Sequence, residues 1–212
     1  MARRGGSQEV DRNDEEFVFH LTRGADLLAR GEAEPATASL ESALELRPKD
    51  AKVLGLLGQA FYKLNRYEDA IIAWQRLVDD NPVEPAARVN LGLAFLKAKQ
   101  FPEARRQLEI ALDLNPDHKK AMGYLGLALL EDGDASLARG WFQKAGSDQM
   151  VARCDEVLAG GARPGAAAEA AVETEPPPVP EPIHTPLPGK LRAVPVEPPA
   201  EAPAPAATLA PG

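Results

Sequence analysis

Small residues recur every 34 positions along this sequence, and this repetition constrains the fold more than any other feature. In each repeat a glycine is followed 12 residues later by an alanine, and a series of prolines shares the period. The three series are Gly24, Gly58, Gly92 and Gly126, then Ala36, Ala70, Ala104 and Ala138, then Pro48, Pro82 and Pro116. A fixed period of this length is typical of proteins that stack copies of one small structural unit. We therefore expect a repeat array.

The four units cover residues 17–50, 51–84, 85–118 and 119–152, and each predicts two helices joined by a turn. Within each half-unit the large apolar side chains are three or four residues apart, which is the spacing of one face of an α-helix. The fifteenth place, between the halves, holds Gly31, Asn65 and Gly133, which tolerate a left-handed backbone, whereas Lys99 does not fit this preference. The recurring proline lacks an amide hydrogen and is expected to end each second helix.

Packing explains why the small residues keep this period. Glycine at the eighth place and alanine at the twentieth leave no bulk where the two helices of a unit cross, so the backbones can approach closely. A larger side chain at either place would overpack the crossing. The two series are therefore expected to mark four buried helix crossings.

The units resemble the tetratricopeptide repeat family, whose pattern is W-x2-L-G-x2-Y, then A-x3-F, then P, over 34 residues. The second unit reads L-x2-L-G-x2-F from Leu54 to Phe61, with Ala70, Trp74 and Pro82. The fourth reads M-x2-L-G-x2-L from Met122 to Leu129, with Ala138 and Phe142. The leading tryptophan is replaced by His20, Leu54, Arg88 and Met122, and Met150 stands where the last proline is expected. The resemblance implies an all-α fold, a right-handed helical-hairpin solenoid of four units with a C-terminal capping helix.

Three further segments flank or cap the four units. Residues 1–16 lack an apolar stretch of signal-peptide length and are expected to be disordered. The segment 148–159 predicts a helix over the last open apolar face, ended by Gly160 and Gly161. Its inner side is expected to carry Met150, Val151, Cys154, Val157 and Leu158. The array with this cap would span 17–160.

The last 52 residues, 161–212, contain 14 prolines, 4 glycines and no aromatic residue. Such a chain cannot bury enough surface to fold, so we expect a disordered tail or linker. Within it, Gly189–Val196 is more apolar and basic than its surroundings. Two interpretations stay open: chance variation in a linker, or a short docking segment.

Composition disfavours several classes of function. The net charge is −8 and no Lys/Arg run exceeds two residues, which disfavours binding to nucleic acid or to a membrane surface. Cys154 is the single cysteine, which fits a reducing, cytoplasmic compartment. The histidines form no metal-spaced pair and no glycine-rich phosphate loop is present. We therefore expect no enzyme, no catalytic residue, no metal and no cofactor.

The resemblance implies a protein-binding groove lined by the first helix of each unit. We expect the groove to take an apolar or amphipathic partner segment, with a helix as one option, whose acidic flanks meet the lysines. Any single leucine could instead pack only between neighbouring helices. The predicted groove residues are Leu21, Leu28, Lys52, Gln59, Tyr62, Lys63, Val89, Asn90, Leu93, Leu96, Lys97, Lys120, Tyr124, Leu127 and Leu130.

Some members of the resembled family clamp the carboxyl-terminal peptide of a chaperone with lysine, asparagine and arginine. The corresponding places here hold Leu21, Ala25, Leu56, Ala86 and Asn90, so chaperone peptides are disfavoured as partners. Two alternatives to a peptide-binding groove stay open. The array could be a structural spacer or oligomerisation scaffold, or the recruiting N-terminal half of a larger protein. The tail could also occupy the groove in cis.

Overall fold

A computed structural model describes the backbone of residues 5–160 and the side chains of residues 12–160. This range consists of helices joined by short turns and contains no strand. The helices are α1 (Gly5–Ala29), α2 (Ala33–Leu46), α3 (Ala51–Lys63), α4 (Tyr67–Asp80), α5 (Pro85–Lys97), α6 (Phe101–Leu114), α7 (Lys119–Glu131), α8 (Ala135–Ala145) and α9 (Asp148–Leu158). The predicted all-α array is confirmed.

Each unit is one helical hairpin, and the hairpins stack in sequence order. The pairs α1 with α2, α3 with α4, α5 with α6 and α7 with α8 pack within units. Every second helix also packs against the first helix of the next unit, and α9 packs against α8. First helices contact one another as well, α1 with α3 and α5 with α7. The first helices therefore form one layer of the solenoid and the second helices the other.

The glycine series marks the helix crossings, as predicted. A methyl group added at Gly92 would lie 2.7 Å from Leu108 Cγ on the paired helix, and one at Gly126 would lie 2.7 Å from Phe142 Cε1. A methyl group added at Gly24 would likewise lie too close to Leu40, and one added at Gly58 too close to Trp74. The four alanines of the series are fully buried. No side chain larger than hydrogen fits at the glycines unless the facing residue moves.

All four turns between paired helices contain one residue in the left-handed conformation. These residues are Gly31, Asn65, Lys99 and Gly133, with φ of 82°, 57°, 61° and 97°. The same two backbone hydrogen bonds recur around each of them. In the third unit the amide of Lys99 donates to the carbonyl of Leu96, and the amide of Gln100 donates to the carbonyl of Phe95. This is the Schellman arrangement that ends a helix. Lys99 adopts it despite its side chain, because the turn geometry repeats in every unit.

Prolines bound the helices as predicted. Pro48, Pro82 and Pro116 each lie two residues beyond the end of a second helix. Pro85 and Pro102 lie in the first turns of α5 and α6, where a missing amide hydrogen leaves no bond unmade.

The last helix closes the open end of the array. Cys154 is fully buried, and Met150, Val151 and Val157 pack against the core of the third and fourth units. Arg139 Nε donates to Asp155 Oδ1 at 2.6 Å, which ties α9 to α8. The prediction was wrong for Leu158, which is 54% exposed because it lies at the very end of the helix. Gly160, with φ of 84°, follows the helix as expected.

The first helix begins earlier than the sequence predicts. Helix α1 begins at Gly5, so most of the segment expected to be disordered continues the first helix. No glycine or proline interrupts residues 7–23, and Asp14 and Phe17 both contact Arg47, which directly follows α2. The predicted tail, 161–212, lies outside the described residues.

Candidate functional site

The predicted groove residues lie on the four first helices, and the structure places them at three depths. Lys52, Lys63 and Lys120 are exposed; Leu21, Gln59, Tyr62 and Lys97 are half-buried. The remaining residues are buried: Leu28, Val89, Asn90, Leu93, Leu96, Tyr124, Leu127 and Leu130. Because the same places of the repeat recur on successive first helices, we expect these residues to face one side of that layer.

Most of the buried groove residues belong to one apolar cluster. Val89, Leu93 and Leu96 of α5 pack with Tyr124, Leu127 and Leu130 of α7, and Tyr62 of α3 lies at the cluster's edge. Val89 and Leu93 have no accessible surface. For these two residues the structure corresponds to the alternative left open by the sequence, namely packing between neighbouring helices. A ligand in the predicted groove could therefore not contact these two side chains directly.

Two buried polar atoms near this apolar cluster, which forms the floor of the predicted groove, lack hydrogen-bond partners among the described residues. Asn90 is only 1% exposed, yet its Oδ1 accepts no hydrogen bond. The hydroxyl of Tyr62 is buried and also unpaired. A buried polar group left unpaired costs about 1–3 kcal/mol of folding free energy. A ligand that supplied the missing partners would recover part of this cost.

The Tyr62 side chain is held in place by aromatic neighbours. Its ring packs edge-on against Tyr67 with centroids 5.6 Å apart, and it lies 6.1 Å from the ring of Trp74. Burial raises the pKa of the Tyr62 hydroxyl, and the nearby hydroxyls of Tyr124 and Tyr67 raise it further. Tyr62 is therefore a neutral hydrogen-bond donor and acceptor at physiological pH, in a ring whose position is fixed.

Lysines border the floor on three helices. Lys52 and Lys63 lie near the two ends of α3, Lys97 ends α5, and Lys120 lies in the first turn of α7. The chain as a whole carries a net charge of −8, so this local positive charge opposes the overall balance. We call these four lysines the rim. A rim of this charge attracts an acidic ligand and repels a basic one.

Glu131 modifies this rim and was missed by the sequence analysis. It occupies the thirteenth place of the fourth unit, where the second and third units carry Lys63 and Lys97. Burial raises the pKa of its carboxyl, and the charge of Lys99 partly opposes that shift. The repeat register alone could have revealed this charge change, because equivalent places face the same side of the array.

Within residues 12–160, no group of three or more histidine, cysteine, aspartate or glutamate side chains is placed to hold a metal ion. Among the helices of the described range, none is long and apolar enough to cross a membrane.

Comparison with known proteins defines the class of this solenoid. A family profile for the tetratricopeptide repeat matches residues 21–85, 58–105 and 89–149, which together cover more than half of the chain. The protein therefore belongs to the tetratricopeptide repeat family. Members of this family are generally non-enzymatic, and the stacked repeats indicate that this chain is a module for protein–protein interaction. No match to this chain is found among curated proteins.

Solved structures of the same class resemble the array. A crystal structure of MamA is 25% identical, covers 68% of this chain and 79% of its own, and superposes with a TM-score of 0.59. PilF of Pseudomonas aeruginosa is 22% identical, covers 70% of this chain and 71% of its own, and has a TM-score of 0.59. The first repeat domain of Spaghetti (RPAP3), bound to the HSP90 peptide SRMEEVD, is 22% identical and covers 51% of this chain and 93% of its own, with a TM-score of 0.50. At 22% identity, the last two support the fold alone.

Proposed function

We propose that the concave side of this array binds an extended segment of a partner protein, apolar at its centre and acidic at its flanks. The observation that carries this proposal is the pair of unpaired polar groups on the apolar floor, Asn90 Oδ1 and the Tyr62 hydroxyl. In a protein without a ligand these groups only cost stability. Their presence is explained if a partner supplies the missing hydrogen bonds.

An extended segment fits these two groups better than a helix does. In a helix the backbone amides and carbonyls bond to one another, so only side chains could reach the floor. An extended backbone has free amides and carbonyls at every residue. Both atoms are buried in the free protein, so binding must first uncover them. An amide of the segment then donates to Asn90 Oδ1, and one of its carbonyls accepts from the Tyr62 hydroxyl. Its side chains lie over the cluster that contains Leu96, Leu127 and Leu130.

The charge pattern sets the flanks of the proposed partner. Lys52, Lys63, Lys97 and Lys120 border the apolar floor, so acidic residues on either side of an apolar centre meet complementary charge. These lysines are expected to raise the association rate and to orient the segment. The energy of binding would come mainly from burial of its apolar centre.

The proposal is tested by selecting ligands from a displayed library of random 12-residue peptides against the full-length protein. We expect enrichment of apolar centres with Asp or Glu at the flanks. The affinity of the best peptide is then measured by fluorescence anisotropy for two variants, Lys120→Glu and Lys119→Glu. Both lysines are exposed in the first turn of α7, but only Lys120 is a predicted groove residue.

The two variants separate a groove effect from a general charge effect. Reversal of Lys120 should weaken binding by about threefold to tenfold, while reversal of Lys119 should change it by less than about twofold. Equal losses in the two variants, or a library without acidic flanks, would contradict the proposal. A library that yields no ligand would favour the spacer or oligomerisation scaffold.

A chaperone-type peptide provides a second probe. The neighbouring repeat domain was solved with SRMEEVD, and that peptide has the acidic flank that the lysines favour. The clamp places here hold Leu21, Ala25, Leu56, Ala86 and Asn90. Four of these five side chains have no polar group that could bind a terminal carboxylate. We therefore expect SRMEEVD to bind more weakly than the selected peptide, and amidation of its carboxyl terminus to leave its affinity unchanged. A large loss on amidation would show that a clamp exists after all.

Three further expectations from the sequence stay predictions. They are the cytoplasmic location, the role as a spacer or oligomerisation scaffold, and the role as the recruiting half of a larger protein. None of the contacts described above favours one of them over the others.

A further inference from the structure

An apolar patch lies on the outer edge of the first helix, away from the cluster that underlies the groove. Phe19 is 56% exposed and the adjacent Val18 is 52% exposed. Phe19 occupies the third place of its unit, where the later units carry Val53, Ala87 and Ala121, all fully buried. Phe19, the largest of the four side chains at the third place, is therefore the one that no neighbouring helix covers.

The later units show what covers this place. Val53 packs in one cluster with Leu40 and Leu44 of α2, the second helix of the preceding unit. Helix α1 is the first described helix, so among residues 5–160 no such helix precedes it. Terminal repeats of a solenoid usually present polar residues at this edge. Phe19 and Val18 instead offer an apolar contact to a segment of another origin.

Two carboxylates border the patch. Asp14, Glu15, Val18 and Phe19 surround one shallow depression on α1. Asp14 is paired with Arg47 at 2.6 Å, whereas Glu15 is exposed one helical turn before Phe19. Arg23 lies one turn after Phe19 and is also exposed. Along the helix the patch therefore runs from acidic through apolar to basic.

We propose that this patch is the docking site of Gly189–Val196, a segment of the chain's own C-terminal region. The segment has Lys190 and Arg192 on either side of Leu191, then Val194 and Val196, and is followed by Glu197. Its order is basic, apolar and acidic. Laid parallel to α1, it matches the acidic, apolar and basic order of the patch. Leu191 and Val194 would cover Phe19 and Val18, while Lys190 and Arg192 would meet Glu15.

Charge also decides between this patch and the groove as the site of the segment. The groove is bordered by Lys52, Lys63, Lys97 and Lys120, which repel Lys190 and Arg192. Docking on α1 leaves the groove open to a partner. The inference is therefore independent of the proposed groove function, and either one can fail alone.

The connecting chain is long enough. Residues 161–188 comprise 28 residues, and an extended proline-rich chain spans about 3.1 Å per residue, or about 87 Å in all. From α9 to α1 the path crosses eight successive helix contacts, each about 8–10 Å between axes, or at most about 80 Å. A tethered segment acts at a local concentration of about 1 mM, so a weak site suffices.

Photo-crosslinking in the full-length protein tests this docking. The photoreactive residue p-benzoylphenylalanine is placed at position 19 and, in a matched control, at position 137, where Leu137 of α8 is 51% exposed. We expect position 19 to crosslink to residues 189–196 within one chain, with a yield at least about fivefold above that from position 137. Equal yields from the two positions would overturn the proposal. Products that join two chains would assign the patch to a second copy and overturn it as well.

Charge reversal then tests the pairing itself. Glu15→Lys should lower the crosslink yield at least about fivefold, and combining it with Lys190→Glu and Arg192→Glu should restore it. Helicity measured by circular dichroism confirms that each variant is folded. The assignment of Gly189–Val196 to this patch would be overturned if Glu15→Lys left the crosslink yield unchanged. It would also be overturned if the combined variant failed to restore the yield.

Discussion

Two glycines on the same helix predict opposite effects of the same substitution. Gly126 lies at a helix crossing, where an added methyl group would be 2.7–2.9 Å from three carbons of the Phe142 ring. Gly123 lies one turn earlier on α7, and a methyl group added there meets nothing within 4 Å. Alanine favours a helix over glycine by about 0.5–1 kcal/mol at either position. Only the steric term differs between Gly126→Ala and Gly123→Ala.

The magnitude follows from these two terms. Gly123→Ala should raise the free energy of unfolding by about 0.5–1 kcal/mol. At Gly126 the overpacking cost of about 1–3 kcal/mol opposes this gain, so Gly126→Ala should lower stability or leave it nearly unchanged. The difference between the two variants, about 1–3 kcal/mol, isolates the crossing.

Urea denaturation followed by far-ultraviolet circular dichroism measures both free energies of unfolding. The slope of the unfolding free energy with urea should stay the same in the two variants, because both expose the same surface. If Gly126→Ala proved as stable as Gly123→Ala, the argument that the glycine series exists to let helices cross closely would be refuted.

Five further predictions concern four individual side chains. Lys99→Gly should raise the free energy of unfolding by up to about 1 kcal/mol, measured in urea, because Lys99 holds a left-handed backbone that glycine adopts without strain. Tyr62→Phe should stabilise the free protein by about 1 kcal/mol at neutral pH, since it removes an unpaired buried hydroxyl, while weakening peptide binding. Because burial raises the folded-state pKa of Tyr62 above its ordinary value of 10.0, stability should fall as pH rises above about 10, and Tyr62→Phe should reduce that fall in denaturation series. Cys154, whose pKa burial raises, should react with a thiol reagent only as fast as α9 opens, so that a rapid reaction of the native protein would contradict its burial. Leu93→Asp should cost about 3 kcal/mol or more, because Leu93 has no accessible surface, and a well-folded Leu93→Asp protein would contradict the packing of the groove floor.

The sequence was sufficient to predict the solenoid, because its constraints repeat. The glycine and alanine places, the prolines after the second helices, and the turn residues Gly31, Asn65 and Gly133 recur with one period. Lys99 shows the limit of reasoning from residue preference at a single position. Its turn adopts the left-handed conformation because the surrounding helices impose it, and the repeat period was a better guide than the residue itself.

The ends of the array could not be predicted equally well. No repeat partner indicates how far α1 continues, and its extension to Gly5 depends on contacts of Asp14 and Phe17 with Arg47, which is 33 residues from Asp14 in sequence. Leu158 was expected inside because a helical period was extended to the final residue of α9. Local spacing does not indicate where a helix loses its packing partner.

For the groove, the sequence indicates the face but not the depth. The repeat register places Val89, Leu93 and Lys97 on one side of α5, yet two of these residues are fully buried and the third is half-buried. Depth depends on how closely neighbouring first helices pack, which is a property of the whole stack. The unpaired state of Tyr62 and Asn90 depends on every surrounding polar atom, so only the folded structure reveals it.

A scan of backbone N-methylation tests the groove most directly. Each amide of the library-selected peptide is methylated in turn, and the affinity of each version is measured for the native protein and for Asn90→Ala. If Asn90 Oδ1 accepts a backbone amide, methylation at one position should weaken binding to the native protein about tenfold and to Asn90→Ala less than about twofold. A methylation profile identical in the two proteins would contradict the proposal that the groove binds an extended peptide backbone.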